Sequence, residues 1–165
     1  MKNSPQDDAM TTQDIVEKYS DMVYRVAFAY ARNRTDADDI YQETFLRYFK
    51  GIRSFESEEH RKAWLIRVTI NCAKKHLQLA WCNAAQPLDE NCEQQVFDNP
   101  NEKHMDRALC GLKTNYRAAI HLFYYEDYSV AEIGKALGFS ESHVRTLLTR
   151  ARKQLRKTLK GDDND

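Results

Sequence analysis

A chain of 165 residues has the length of one ordinary domain or of two small ones. Its apolar fraction of 42% supports globular helices without a large core, and 5 Gly and 3 Pro argue against a loop-rich or all-β fold. The formal net charge of zero would, alone, argue against nucleic acid, yet the charges are segregated. Bases outnumber acids between Leu109 and Lys160, acids outnumber bases over residues 81–108, and Asp162, Asp163 and Asp165 make an acidic tail. Attraction to phosphate follows the local field, because the Debye length at physiological salt is only about 8 Å.

No apolar run reaches the roughly 18 residues that a membrane span needs, and the polar N-terminus lacks the hydrophobic stretch of a secretory signal. A cytoplasmic chain with no direct membrane insertion is therefore expected. Cys72, Cys82, Cys92 and Cys110 include no Cys-x-x-Cys pair and offer no recognisable zinc site. Reduced thiols, with Cys72 and Cys110 packed in helices, are the expectation.

In chain order, residues 1–10 are polar and contain Pro5, and they read as disordered. From about Thr12 an amphipathic helix carries Ile15, Tyr19, Met22, Val23, Val26, Phe28 and Tyr30 mostly at three- and four-residue steps, ending in Arg32-Asn33-Arg34. Thr35 reads as the N-cap of a second helix, with Asp36, Asp38 and Asp39 in its first turn, where carboxylates meet exposed N–H groups. Ile40, Thr44, Phe45 or Leu46, and Phe49 carry it to Gly51. Its other side presents Asp38, Asp39, Gln42 and Glu43, which is either solvated surface or an acidic edge for a basic partner.

Residues 52–59 break the pattern, and Phe55 in this polar loop is either tucked inward or open to stacking. A third helix runs from near His60 to about Trp81, with Trp64, Leu65, Val68, Cys72 and Leu79 on its apolar side. Arg61, Lys62, Arg67, Asn71, Lys74, Lys75 and His76 make its polar side. Basic, amide and aromatic groups on one helix suit single-stranded nucleic acid, although a core role for Trp64 explains that residue equally well.

Residues 82–100 hold neither helical nor strand periodicity and read as a flexible acidic linker. A second folded unit, 101–159, opens with Met105, Ala108, Leu109 and Leu112 on one short helix. Tyr116, Ala119, Ile120, Phe123 and Tyr124 follow on the next. Ser129 and Glu132 are spaced as a capping box, Ile133 and Leu137 share a face, and Gly138 suits the left-handed residue that stops a helix. Ser140 caps again, and Val144, Leu148, Ala151 and Leu155 form the apolar stripe of a long helix. Its other sides carry Arg145, Arg150, Arg152, Lys153, Arg156 and Lys157, with Thr146 and Thr149 between. A supporting helix, a glycine turn and a basic second helix are the grammar of a helix-turn-helix. The fold expected is all-α: a helical domain at 12–81, the linker at 82–100, and a four-helix domain with helix-turn-helix at 101–159.

Two stretches in order resemble one family. Asp36-Ala-Asp-Asp-Ile-Tyr-Gln-Glu-Thr-Phe-Leu-Arg-Tyr-Phe-Lys50 with Ala63-Trp-Leu-Ile-Arg-Val-Thr-Ile-Asn71 resembles region 2, and Tyr116-Arg117 through Leu155 resembles region 4, of the extracytoplasmic-function (group 4) sigma factors of the sigma-70 family. The resemblance implies a promoter-recognition subunit of bacterial RNA polymerase. Asp38, Asp39, Gln42 and Glu43 would dock on the core polymerase. Phe55, Arg61, Lys62, Trp64, Arg67, Asn71 and Lys74 would meet the −10 element as the strands separate. Ser142, His143, Arg145, Thr146, Thr149, Arg150 and Lys153 would read or clamp the −35 element. It further implies an anti-sigma partner and a free protein that is a monomer. The chain departs from the family pattern at Lys113, where Pro is usual, and at Lys75, Gln78 and Leu147.

No paired carboxylates, metal cluster, phosphate loop or nucleophile–base pair is evident, so catalysis, a metal and a cofactor are not expected of this chain. The rival readings are a homodimeric helix-turn-helix regulator, which predicts a dimerisation helix and a palindromic site, and a helical adaptor that binds protein only.

Overall fold

The computed structural model describes residues 10–51, 54–83 and 100–162, and all regular structure among them is helical. The first unit is α1 (Thr12–Ala31), α2 (Arg34–Lys50) and α3 (Glu58–Asn83), each packed on the other two. The second is α4 (Pro100–Cys110), α5 (Thr114–Tyr124), α6 (Val130–Leu137) and α7 (Glu141–Asp162). The all-α expectation holds. All but the ends of the stretch read as a linker lies outside the described residues.

Five of the helices start where the sequence offers a side-chain acceptor for the orphan N–H groups, whereas Lys113 gives α5 no side-chain cap. Thr11 and Asp14 form a reciprocal capping box at α1. At α2 the cap is Asn33, whose side-chain oxygen accepts from the Asp36 N–H at 2.8 Å, and not Thr35 as expected. Arg32 is the reason: it closes α1 in the left-handed region (φ 64), so the chain re-enters helix two residues earlier than the threonine would allow. Ser57 caps α3 through the His60 N–H.

Val23, Val26, Ile40, Leu65, Ile66 and Ile70 fill the first bundle, all at or below 2% exposure. Leu112, Leu122, Ile133, Leu137, Val144 and Leu148 fill the second. The two sets belong to one contiguous apolar core, because α5 packs on α1 and α6 packs on α3. Phe45 is the buried partner at the position left open between it and Leu46, which is exposed. Leu79 and Met105, expected on apolar faces, are exposed, as is Phe49. Cys72 is a free, buried thiol as expected, its pKa raised by burial, whereas Cys110 is disulfide-bonded, against the expectation of a reduced thiol.

Candidate nucleic-acid interface

The helix-turn-helix is built as the spacing predicts. Ser129 Oγ accepts from the Glu132 N–H at 3.2 Å while Glu132 accepts from the Ser129 N–H at 2.7 Å. Gly138 closes α6 at φ 77. A second glycine matters for a different reason: a Cβ on Gly134 would lie 2.7 Å from the Phe139 carbonyl oxygen, so only glycine lets α6 pass under the turn. Ser140 then caps α7 through the His143 N–H at 3.2 Å.

α7 buries Val144, Leu147, Leu148 and Ala151 and turns Ser142, His143, Arg145, Thr146, Thr149, Arg150 and Lys153 to solvent. Leu147 is thus a core residue, which accounts for an apolar side chain there. Thr146 and Thr149 are pinned through hydroxyl bonds to the carbonyls of Ser142 and Arg145, and His143 stacks on Phe139 with centroids 4.4 Å apart. Arg145 is tethered to Glu141 at 3.3 Å, a screened surface pair worth little in itself. Arg152 faces elsewhere, donating to the Tyr124 hydroxyl at 2.7 Å and lying over the Phe123 ring.

The face of α3 is assembled differently. Arg67, Asn71 and Lys74 are exposed at helical spacing, with Lys62 and Trp64 half-buried beside them. Phe55 and Arg61 do not join them. Phe55 is 7% exposed and stacks on Tyr48 at 6.0 Å with Trp64 and His60 edge-on. Arg61 is 4% exposed, bonded to Glu58 and lying over the Phe55 ring. The expectation that both reach DNA is not met in this conformation. An aromatic in a polar loop gains more by closing an aromatic cluster, and Glu58, which also holds Lys18 and Tyr19, draws the guanidinium in.

Two residues of the same face touch the second unit. Lys62 pairs with Glu126 at 3.3 Å, and Lys74 donates to the Leu137 carbonyl at 3.2 Å. Arg67 lines the cleft between, with Tyr128, Glu132 and Lys135 opposite. Glu126, in the turn before α6, is 6% exposed, and its second oxygen lies 3.6 Å from His121 Nε2. Burial pushes its carboxyl up, but contact with His121 and the charge of Lys62 prevail and hold it below the usual carboxylate range. Residue spacing gave no sign of this acid, because its partner is 64 residues away in sequence.

Asp38, Asp39, Gln42 and Glu43 are all exposed along α2. Glu43 bonds Arg47 at 2.8 Å, and that hydrogen bond is the main cause of its lowered pKa. Asp21 of α1 and Asp38 line one shallow recess, so the acidic edge spreads onto the neighbouring helix, which no single-helix pattern reveals. Asp36 lies between this edge and α3: its Oδ1 is 2.8 Å from His76 Nε2, and a carboxylate oxygen of Asp39 lies within 4.8 Å of both groups. The Asp36 carboxyl is lowered by Asn33 and His76 in spite of burial. Among the described residues no helix is long and apolar enough to cross a membrane.

Two family models match: "Sigma-70 region 2" over residues 15–81 and "Sigma-70, region 4" over residues 104–155. The chain is 30% identical over 153 residues to the ECF RNA polymerase sigma factor SigE of Mycolicibacterium smegmatis, a match that covers 87% of this chain and 59% of that longer protein. It is 27% identical to the ECF RNA polymerase sigma factor SigM of Bacillus subtilis, across 94% of this chain and 99% of that one. The fold resembles that of the sigma factor RpoE in its complex with the anti-sigma factor NepR from Bartonella quintana, with TM-score 0.71 and 19% identity over 90% of this chain and 96% of that one. With both sigma regions matched in order on one chain, and with helices as the regular structure of its described residues, this protein belongs to the extracytoplasmic-function sigma factors of the sigma-70 family.

Proposed function

We propose that this sigma factor directs RNA polymerase to promoters by dividing recognition between a duplex-reading helix and a single-strand face that must first be uncovered. The observation that carries the reading is the contrast in α7 between a fully packed apolar side and a solvent-facing basic side at the end of a doubly capped helix-turn-helix. Seven exposed side chains, from Ser142 to Lys153, present hydroxyl, imidazole, guanidinium and ammonium donors. That mixture suits base edges and phosphates in the major groove.

Arg67, Asn71 and Lys74, with Lys62 and Trp64, form the face for the −10 element. Bases drawn from the duplex lose a few kcal/mol of stacking, which aromatic and cationic contacts and the polymerase must offset. In the closed arrangement Lys62 and Lys74 are held by Glu126 and the Leu137 carbonyl, so this face becomes free only when α6 parts from α3. The edge of Asp38, Asp39, Gln42 and Glu43 docks on a basic surface of the core polymerase, which supplies the polymerisation chemistry. Two weak DNA contacts on one chain then reinforce each other through effective concentration. An anti-sigma protein, as seated on the structurally similar RpoE, would regulate the chain by keeping these surfaces from the polymerase.

The test is reconstituted transcription from a promoter library with core polymerase, followed by start-site sequencing. Enrichment of two unlike elements at fixed spacing supports the reading, whereas a single palindrome bound by a dimer favours the regulator. Replacing Asp38 and Asp39 by Lys should reduce capture of core polymerase at least about tenfold, like charges facing each other at the dock. Unchanged capture removes that edge from the interface.

A further inference from the structure

A cavity of about 470 Å³ opens where α1 meets α4 and α5, and none of the surfaces assigned above contributes to it. Arg25, Arg32 and Arg117 line it, with Phe28, Met105 and Leu109 as apolar wall. Arg117 is 5% exposed. Its Nε donates to the Ala29 carbonyl and its Nη1 to that of Leu112, which Arg32 shares. Its Nη2, and the Nε of Arg32, are buried and have no hydrogen-bond partner among the described residues. No carboxylate of the described residues forms an ion pair with either guanidinium. Burial first, and then the charge of Arg32, pull Arg117 down to about 9.

Two like charges side by side, one of them buried and satisfied only by carbonyls, are costly, and one anion between them relieves both the repulsion and the unmet donors. Glu102 and Asp106 also line the cavity and limit the charge it accepts, attracting no dianion. The apolar wall asks for a body as well as a head group, and the volume lies within the range of small-molecule sites. We infer that this cavity binds a small amphiphilic carboxylate, its head group on Arg117 and Arg32 and its apolar part against Phe28, Met105 and Leu109. Such a ligand bridges α1 to α4 and α5, favouring the closed arrangement that covers Lys62 and Lys74. It therefore opposes promoter capture, a consequence that rests on the proposed function while the binding itself does not.

The experiment uses the full chain and octanoate as probe, with octanol and inorganic phosphate as the two halves of its chemistry. Calorimetric titration should give one saturable site for octanoate, at least about tenfold weaker for octanol and for phosphate, and saturation should raise Tm by about 5 °C. Leu109→Trp fills the cavity without touching the guanidinium bonds, and Arg117→Lys keeps the charge but loses the fork. Each should weaken octanoate at least about tenfold. Absence of saturable binding to the folded chain, equal affinity for octanol, or unchanged affinity in folded Leu109→Trp overturns the site. Saturating octanoate should also reduce binding of a single-stranded −10 oligonucleotide. Undiminished binding refutes the coupling, and a wild-type chain that never binds the oligonucleotide refutes the proposed function instead.

Discussion

The α7 face and the α3 face were both assigned to DNA, yet they differ in what else they touch. All seven α7 residues stand in solvent on a helix whose apolar side is packed within its own unit. On the α3 side Phe55 and Arg61 are buried, and Lys62 and Lys74 are bonded to the second unit. The difference matches the two kinds of target proposed for them. A helix entering the major groove meets a preformed duplex and needs only a rigid platform. A face that holds unstacked bases is useful only after melting has begun, and exposing it earlier would invite indiscriminate binding to any single strand. The open face is set by local structure and the covered face by a long-range contact, so the two should respond to different perturbations.

The largest effect is expected behind the open face. Leu148 is 2% exposed on α7, and Leu148→Ala removes atoms that α5 and α6 pack against, at a cost of about 3 kcal/mol in denaturant unfolding. A loss below about 1 kcal/mol would mean that α7 is held by something other than its apolar side. On the exposed side the loss is smaller and of another kind. Arg145→Ala should cost about 2 kcal/mol on the preferred −35 duplex and far less on a scrambled one, as expected of a base-reading guanidinium. Lys153→Ala should weaken both duplexes alike and reduce the salt slope by about one. Equal losses for the two variants on both duplexes would reduce α7 to a phosphate clamp.

Much of α7 and its approach was legible because the signals are local. Ser129 and Glu132, Gly138, Ser140 and the Val144–Leu148–Ala151 stripe each act within four residues, and each appears as read. The sequence was silent where a residue's fate depends on distant chain. Thr35 loses the cap to Asn33 because of how α1 ends, and Arg61 is drawn inward by an acid that also serves α1. Arg117 looks like one more basic residue of a DNA-binding unit, but its bonds reach 88 residues back to the Ala29 carbonyl. Phe55 had two readings, and only the positions of Tyr48 and Trp64 decide between them. A charged side chain in a helix pattern tells its face and not its partner.

The smallest effect, and the one that tests the covered face most directly, concerns Glu126. Its carboxyl is depressed in the closed chain, so its contribution to closure is fully present above the ordinary value of about 4.5 and is lost as pH falls through the lower folded value. Glu126→Gln keeps the shape and the backbone carbonyl to which Lys62 donates, but removes the charge that holds Lys62. Lys62 is partly exposed and regains water on opening, so the shift is modest, about tenfold in the closed-to-open ratio. A donor and acceptor dye on α2 and α7 read that ratio in the full chain. Wild type should open as pH falls below about 4.5, while Glu126→Gln should start more open and lose most of that response. Glu59, Glu132 and Asp127 share the cleft with Lys62, Arg67 and Lys135, so a residual response in the variant measures their share. At neutral pH the same variant should bind a single-stranded −10 oligonucleotide more tightly and −35 duplex no differently. A parallel gain on both would mean that closure covers α7 as well, and the contrast between the two faces would fail.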